Sequence, residues 1–209
     1  MTESGRNLII IGAGGLGIIT LDAALEMNLY KKIYFLDDYK EQNSLIHNCE
    51  VLGGLSKIYD INVENFEFII AIADNGVRKT IAESHDLNYV NIIHPKSTIS
   101  RFASYGQGNI ILANTTIDPN VKISDYTVIN KNNSIGHDSN LNDFAQISPG
   151  CSLGGYTTIQ EGVFLGLGTS TLPNIKIGPF AKIGAGAMVT KNISENTLAV
   201  GVPAKVIKE

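Results

Sequence analysis

The sequence predicts two unlike domains, a small open α/β domain over residues 1–94 and a parallel β-helix over residues 95–209. Three observations carry this prediction. A glycine-rich turn, Gly12-Ala13-Gly14-Gly15-Leu16-Gly17, joins an apolar run to a segment of helical spacing. From residue 99 onward an aliphatic side chain recurs every six positions, and the first pattern gives way to the second near Pro95.

In the first domain, residues 8–11 form an apolar run suited to a buried strand, and residues 18–29 have helical spacing. Residues 32–36 make a second strand ending in Asp37-Asp38, which completes a βαβ unit with a glycine-rich first turn. A third strand over residues 66–73 leads through Asp74-Asn75-Gly76 into a helix ending near Ser84. Residues 89–93 read as a fourth strand before His94-Pro95.

The second domain is written in hexads. Stepping by six from Ile99 gives Ile99, Tyr105, Ile111, Ile117, Ile123, Ile129, Ile135, Leu141, Ile147, Leu153, Ile159, Leu165, Thr171, Ile177, Ile183 and Val189, of which fourteen of sixteen are Ile, Leu or Val. Two positions before them stands mostly a small or β-branched residue, as at Thr115, Val121, Thr127, Ser139, Ala145, Cys151, Thr157, Val163, Thr169, Ala181 and Ala187. A period of six fits neither a 3.6-residue helix nor plain strand alternation. It fits short strands joined by turns, each hexad one face of a prism, with three hexads to a coil and about five coils in all. Each coil then covers the open backbone edge of the next.

Composition limits the function. With 16 Lys and Arg against 20 Asp and Glu, the formal charge is -4, and the cations are scattered. Nothing supplies the electrostatic footprint of a nucleic-acid or anionic-membrane partner. The two cysteines, Cys49 and Cys151, lie far apart with no CxxC, so neither a disulfide framework nor a metal site is expected. Residues 8–21 are broken by glycines and fall short of the ~20 apolar residues of a membrane span. A cytoplasmic protein without membrane insertion is the expectation.

Gly12, Gly14 and Gly17 match G-x-G-x-x-G after a strand, and Asp37 follows Gly17 by twenty positions. Glycines let a backbone approach a pyrophosphate at a helix N-terminus, and a carboxylate accepts hydrogen bonds from sugar hydroxyls or base N–H groups. Because the α/β region is only about half of a complete dinucleotide domain, a mononucleotide suits it better. Asp74, Asn75 and Arg78 follow the third strand on the same ligand-binding edge; a ligand role and an ordinary helix cap both remain open for them.

Of the four histidines, His47 and His85 read as solvated and His94 as packed at the domain junction. His137, two positions after inward Ile135, points outward, where an imidazole can act as a general base beside a carboxylate. Cys151 occupies a small inward position and reads as core, not as a nucleophile.

The hexads, Gly136-His137-Asp138, the run from Ser148 to Gly155, and the ending Ala199-Val200-Gly201-Val202-Pro203-Ala204-Lys205 resemble left-handed β-helix acyltransferases. With the glycine-rich domain and Asp37-Asp38, the chain resembles the family of bacterial nucleotide-amino-sugar N-acetyltransferases of the bacillosamine type and sialic acid O-acetyltransferases. That resemblance implies a Rossmann-like nucleotide-sugar domain, a left-handed β-helix, and a homotrimer with acetyl-CoA bound in grooves between solenoids. His137 would be the general base, Asp138 its partner, and the Gly155 N–H the oxyanion donor. Gln146, Gly154, Gly155, Gly166, Leu167, Gly184 and Ala185 would line the acetyl-CoA groove; Gly12, Gly14, Gly15, Gly17, Asp37 and Asp38 would bind the nucleotide sugar. Gln146 stands where relatives commonly have a second histidine, and a glutamine can donate a hydrogen bond but cannot titrate. The implied reaction is acetyl transfer to the amine of a nucleotide-linked 4-amino-4,6-dideoxy sugar, uridine ahead of thymidine. An O-acetyltransferase of the sialic acid type is the alternative, and a non-catalytic nucleotide-sugar binder ranks below both.

Overall fold

A computed structural model describes residues 6–208, which divide into two compact units, one ending at Pro95 and one beginning at Lys96. The first unit holds a five-stranded sheet. Strands β1 (Arg6–Ile11), β2 (Tyr30–Leu36), β4 (Cys49–Gly53) and β5 (Phe66–Ile70) are parallel, and β3 (Leu45–Ile46) pairs antiparallel with β4, giving the order β3-β4-β2-β1-β5. Leu8, Ile9, Ile10, Phe35, Phe68 and Ile69 have no exposed surface. Such unbroken apolar runs are what a parallel strand covered on both faces requires.

Helix α1 (Gly15–Met27) follows β1 and ends on Asn28, whose φ of 52° and N–H bond to the Leu25 carbonyl close the last turn. Gly12 (φ +103°) makes the turn out of β1, and a Cβ at Gly17 would lie 2.0 Å from the Gly12 carbonyl oxygen. Glycine at these two positions is thus a requirement of strand and helix packing. Helix α2 (Asn75–Ser84) starts where Asp74 accepts a hydrogen bond from the Val77 N–H.

Two elements differ from expectation. Residues 89–93 make only a single bridge, from Tyr89 to Phe68, and the short strand Ile92–Ile93. The hairpin β3–β4 has no counterpart in the sequence reading. Its two-residue turn, His47-Asn48, has both residues at positive φ, 46° and 65°, the geometry that Asn-Gly usually announces. With histidine in the first place, that announcement is missing.

The second unit is a solenoid of two-residue strands in three parallel sheets. Pairs such as Thr116 with Ser134, Lys122 with Asn140 and Val128 with Gln146 are eighteen positions apart, so three hexads make one coil. Ile111, Ile129, Ile135, Leu141, Ile147, Ile159, Leu165, Ile177 and Val189 are fully buried, as are the small residues Thr115, Val121, Ser139, Ala145 and Thr157. Each fully buried aliphatic side chain contributes about 1.5–3 kcal/mol relative to exposure, so the stack is the source of the solenoid's stability. Tyr105 is a correction to the frame. It stands on the edge strand of its sheet, where no preceding coil of the solenoid stacks over it, and is 46 % exposed. The last coil is shorter, since Lys182 pairs with Leu198 sixteen positions on, and Lys205–Lys208 turns back antiparallel on Leu198–Val200.

Candidate active site

From Gly108 to Gly186 every sixth residue, one at each of the three corners of a coil, adopts the left-handed region. Asn120 (62°), Asp138 (58°), Tyr156 (58°) and Asn174 (62°) form one such column. Asn and Asp tolerate this conformation better than other side chains because they bond locally to the backbone. His137 comes just before the corner residue and projects from the solenoid.

The His137 Nδ1 lies 2.8 Å from the Asp138 Oδ2, with the imidazole 54 % and the carboxylate 30 % exposed. Asn120 Nδ2 donates to the other Asp138 oxygen at 3.1 Å. The hydrogen bond from His137, then that from Asn120, holds the Asp138 carboxyl below its usual value, and the Tyr156 side chain adds to the effect. An ionised Asp138 on Nδ1 leaves Nε2 as the ring nitrogen free to take a proton.

Gly155 faces that nitrogen. A Cβ there would lie 2.8 Å from His137 Nε2 and Cε1, and a Cβ at Gly136 would lie 2.7 Å from the Gly155 nitrogen. The two glycines thus keep open both the imidazole edge and the Gly155 N–H, which donates no hydrogen bond among the described residues. The Tyr156 ring meets the imidazole edge to face, centroids 5.2 Å apart at 87°. Beside the pair lies a shallow concavity of about 510 Å³ whose wall includes Asp138, Asn120, Lys122, Asn140 and Tyr156.

Gly154 and Gly166 let coils stack closely, since a Cβ on them would lie 2.6 Å from the nitrogens of Pro173 and Ala185 respectively; one on Gly184 would lie 2.7 Å from Val200. Leu167 is 60 % exposed. Gln146 lies in the third sheet, between Val128 and Phe164, whereas His137 follows a strand of the first. Cys151 is 1 % exposed and its Sγ lies 3.2 Å from the Ser148 carbonyl, a core position as expected.

In the first unit a second cavity of about 510 Å³ is lined by Gly12, Gly14, Gly15, Asp37, Asp38, Tyr39 and apolar side chains including Leu55, Ile72 and Val77. Asp37 accepts from the Ala13 N–H at 2.7 Å and the Tyr39 N–H at 2.9 Å, and Asp38 from the Leu55 N–H at 2.7 Å. Each carboxylate keeps further lone pairs. A Cβ at Gly14 or Gly15 would meet nothing within 4 Å, so no contact within this unit demands glycine at either position. No side chain caps α1, which leaves its first N–H groups facing outward.

Arg78 corrects an expectation. Its side chain is fully buried, with Nη1 on the Ile72 carbonyl at 2.8 Å and Nη2 on Asn75 Oδ1 at 2.9 Å. Burial lowers its pKa to about 10, still protonated at neutral pH. The guanidinium braces the loop before α2 rather than facing a ligand; Asp74 is the cap of α2, Asn75 is bound to Arg78, and none of the three lines the cavity. Sequence reasoning missed Asn120 and Tyr156. Their signal was the coil period, since they stand eighteen positions before and after Asp138.

Residues 7–85 match the family model described as the PglD N-terminal domain. The acetyltransferase domain of PglB from Neisseria gonorrhoeae, solved with acetyl coenzyme A, is 30% identical, with a TM-score of 0.93 over 97% of this chain and 100% of that one. A variant of perosamine N-acetyltransferase from Caulobacter crescentus, solved with CoA and GDP-perosamine, is 26% identical with a TM-score of 0.90 over 100% and 99% of the two chains. Among curated sequences, serine acetyltransferase of Escherichia coli K12 is 47% identical over 49 residues, which is 23% of this chain and 18% of that protein. The chain spans a quarter or less of the curated relatives it matches. No helix among the described residues is long and apolar enough to cross a membrane.

Proposed function

Because this chain belongs to the family of left-handed β-helix sugar acetyltransferases that holds the PglB acetyltransferase domain, we propose that it acetylates the amine of a nucleotide-linked 4-amino-4,6-dideoxy sugar. Acetyl-CoA is the donor, uridine diphosphate the preferred carrier ahead of thymidine diphosphate, and bacterial surface glycan the destination.

The His137–Asp138 pair at 2.8 Å, set against the Gly155 N–H, carries the proposal. Acetyl-CoA supplies a thioester carbonyl. The sugar nitrogen attacks that carbon, and Nε2 of His137 takes the proton the amine loses. Asp138 holds Nδ1–H and stabilises the imidazolium, and the Gly155 N–H donates to the carbonyl oxygen as charge develops on it. When the C–S bond breaks, the imidazolium returns its proton to the departing sulfur. A neutral amine is a competent nucleophile, so positioning and one base suffice without an acyl-enzyme.

In the first unit the uncapped N-terminus of α1 and the bare backbone of Gly14 and Gly15 suit a pyrophosphate. Asp37 and Asp38 suit sugar hydroxyls or base N–H groups. Gln146, Gly154, Gly166, Leu167, Gly184 and Ala185 complete the proposal as the acetyl-CoA groove between neighbouring solenoids of a homotrimer in the cytoplasm. The GDP-perosamine bound to the Caulobacter relative supports a nucleotide-linked acceptor.

The test is mass spectrometry of reactions with acetyl-CoA and a panel of UDP-, dTDP- and GDP-linked 4-amino-6-deoxy sugars, their amine-free analogues, and free and CMP-linked sialic acid. One acetyl group gained on an amino-sugar nucleotide alone is the expected result. Gain on sialic acid alone would transfer the assignment to O-acetylation.

A further inference from the structure

We infer that Tyr156 is a positioning residue for the His137–Asp138 pair, holding the imidazole in the plane that keeps Nδ1 on the carboxylate and Nε2 toward Gly155. The inference rests on the proposed general-base role of His137, but its physical basis is the geometry of the corners.

Aromatic residues occupy left-handed corners at four places, Tyr126, Phe144, Tyr156 and Phe180, with φ between 55° and 58°. Phenyl side chains gain nothing from this backbone conformation, unlike the Asn and Asp that fill other corners. A second column of corners, Gly108, Tyr126, Phe144, Gly162 and Phe180, shows what they do there. The Tyr126 ring covers Gly108 and the Phe180 ring covers Gly162, each approaching within 2.4 Å of where a Cβ would stand. Phe144 stacks on Tyr126 with centroids 5.1 Å apart and planes 4° apart. A corner aromatic therefore lies back over the corner eighteen positions earlier.

For Tyr156 that earlier corner is Asp138. Neither a glycine nor a stacking ring waits there, so the phenol covers the dyad itself, its ring at 87° to the imidazole. The backbone fixes the approach, because the Tyr156 N–H donates to the His137 carbonyl at 2.9 Å. The support is needed. The imidazole is more than half exposed and its one hydrogen bond to a described side chain is that to Asp138, while Gly155 offers no side chain against its other edge. The hydroxyl's contribution to keeping Asp138 ionised agrees with this placement. The same column carries Asn at 120 and 174, so asparagine at 156 fits the backbone and leaves the fold intact.

The test compares wild type with Tyr156→Asn and Tyr156→Phe at pH 8, by nitrogen-15 NMR of the His137 ring and by steady-state kinetics. Wild type should show one tautomer, protonated on Nδ1. Tyr156→Asn should show mixed tautomers and a kcat reduced roughly tenfold or more, with KM for acetyl-CoA within about twofold, as for loss of orientation rather than binding. Tyr156→Phe, which keeps the ring, should restore the single tautomer and most of kcat. An unchanged tautomer in Tyr156→Asn would overturn the inference, as would a raised KM at constant kcat, which marks a substrate contact. The NMR result decides on Tyr156 even if no acceptor is acetylated, an outcome that would overturn the proposed activity instead.

Discussion

At the scale of single residues, the site depends on one nitrogen and one missing side chain. His137→Ala should lower turnover by about 10²–10⁴-fold, the usual contribution of a general base, with acetyl-CoA binding by calorimetry unchanged; near-full turnover would remove His137 from the chemistry. Gly155→Ala makes a subtler test. Its Cβ would stand 2.8 Å from Nε2, and the imidazole, at the end of a flexible side chain, can swing away, so melting should barely move while kcat falls. The Asp138 carboxyl should titrate, by carbon-13 NMR, below its ordinary value near 3.8, and Asn120→Ala should raise it by removing one hydrogen bond. A carboxyl depressed on folding adds stability above its unfolded pKa, and that stability is lost as pH falls through the lower folded value. The carboxylate of the pair is therefore ionised at neutral pH. Adjacent in sequence, His137 and Asp138 were legible as a pair. Arg78 stayed open between two roles, because a cation after a strand looks the same in sequence whether it faces a ligand or fills the core, and only its bonds to the carbonyl of Ile72 and the amide of Asn75 show it buried.

At the scale of elements, each coil reuses one set of positions, which makes substitutions transferable between coils. Cys151 sits where other hexads carry Thr, and Thr157 and Thr169 donate to the carbonyls of Gly154 and Gly166 at 2.6 and 2.8 Å. The Cys151 Sγ already points at the Ser148 carbonyl. Cys151→Thr should hence keep stability within about 1 kcal/mol by denaturant titration, whereas Cys151→Leu should cost about 1–3 kcal/mol by overpacking. Failure of the Thr variant to fold would show that the coils are not interchangeable. In the first unit Gly17→Ala should be destabilising, since its Cβ meets a backbone oxygen at 2.0 Å that cannot rotate away. The hexads were readable because burial fixes one residue in six and every coil repeats the choice. The β3–β4 hairpin was not, because its positive-φ turn is built from His47 and Asn48 without a glycine, and its short strands carry no period.

At the scale of the molecule, the two units are stabilised by different physics and should answer to different ligands. A sheet covered on both faces melts as one cooperative block, while a solenoid gains stability coil by coil through contacts with its neighbours. Binding to the native state adds about 2.7 kcal/mol at a hundredfold excess over Kd, and hydrogen exchange shows where that stabilisation is felt. Uridine diphosphate should slow exchange in residues 12–18 and 37–39, where bare glycine backbone and the start of α1 face the first cavity. Acetyl-CoA should slow exchange at Gly155, Leu167 and Ala185, whose N–H groups donate to no backbone carbonyl among the described residues, while the residues flanking each of them are already bonded to a neighbouring coil. If the nucleotide left the glycine turn unprotected, the lack of any internal demand for glycine at 14 and 15 would need another cause, and the acceptor would have to be held without its nucleotide. If acetyl-CoA protected the first unit instead, the G-x-G-x-x-G turn would be a donor site and the division of labour between the units would be reversed.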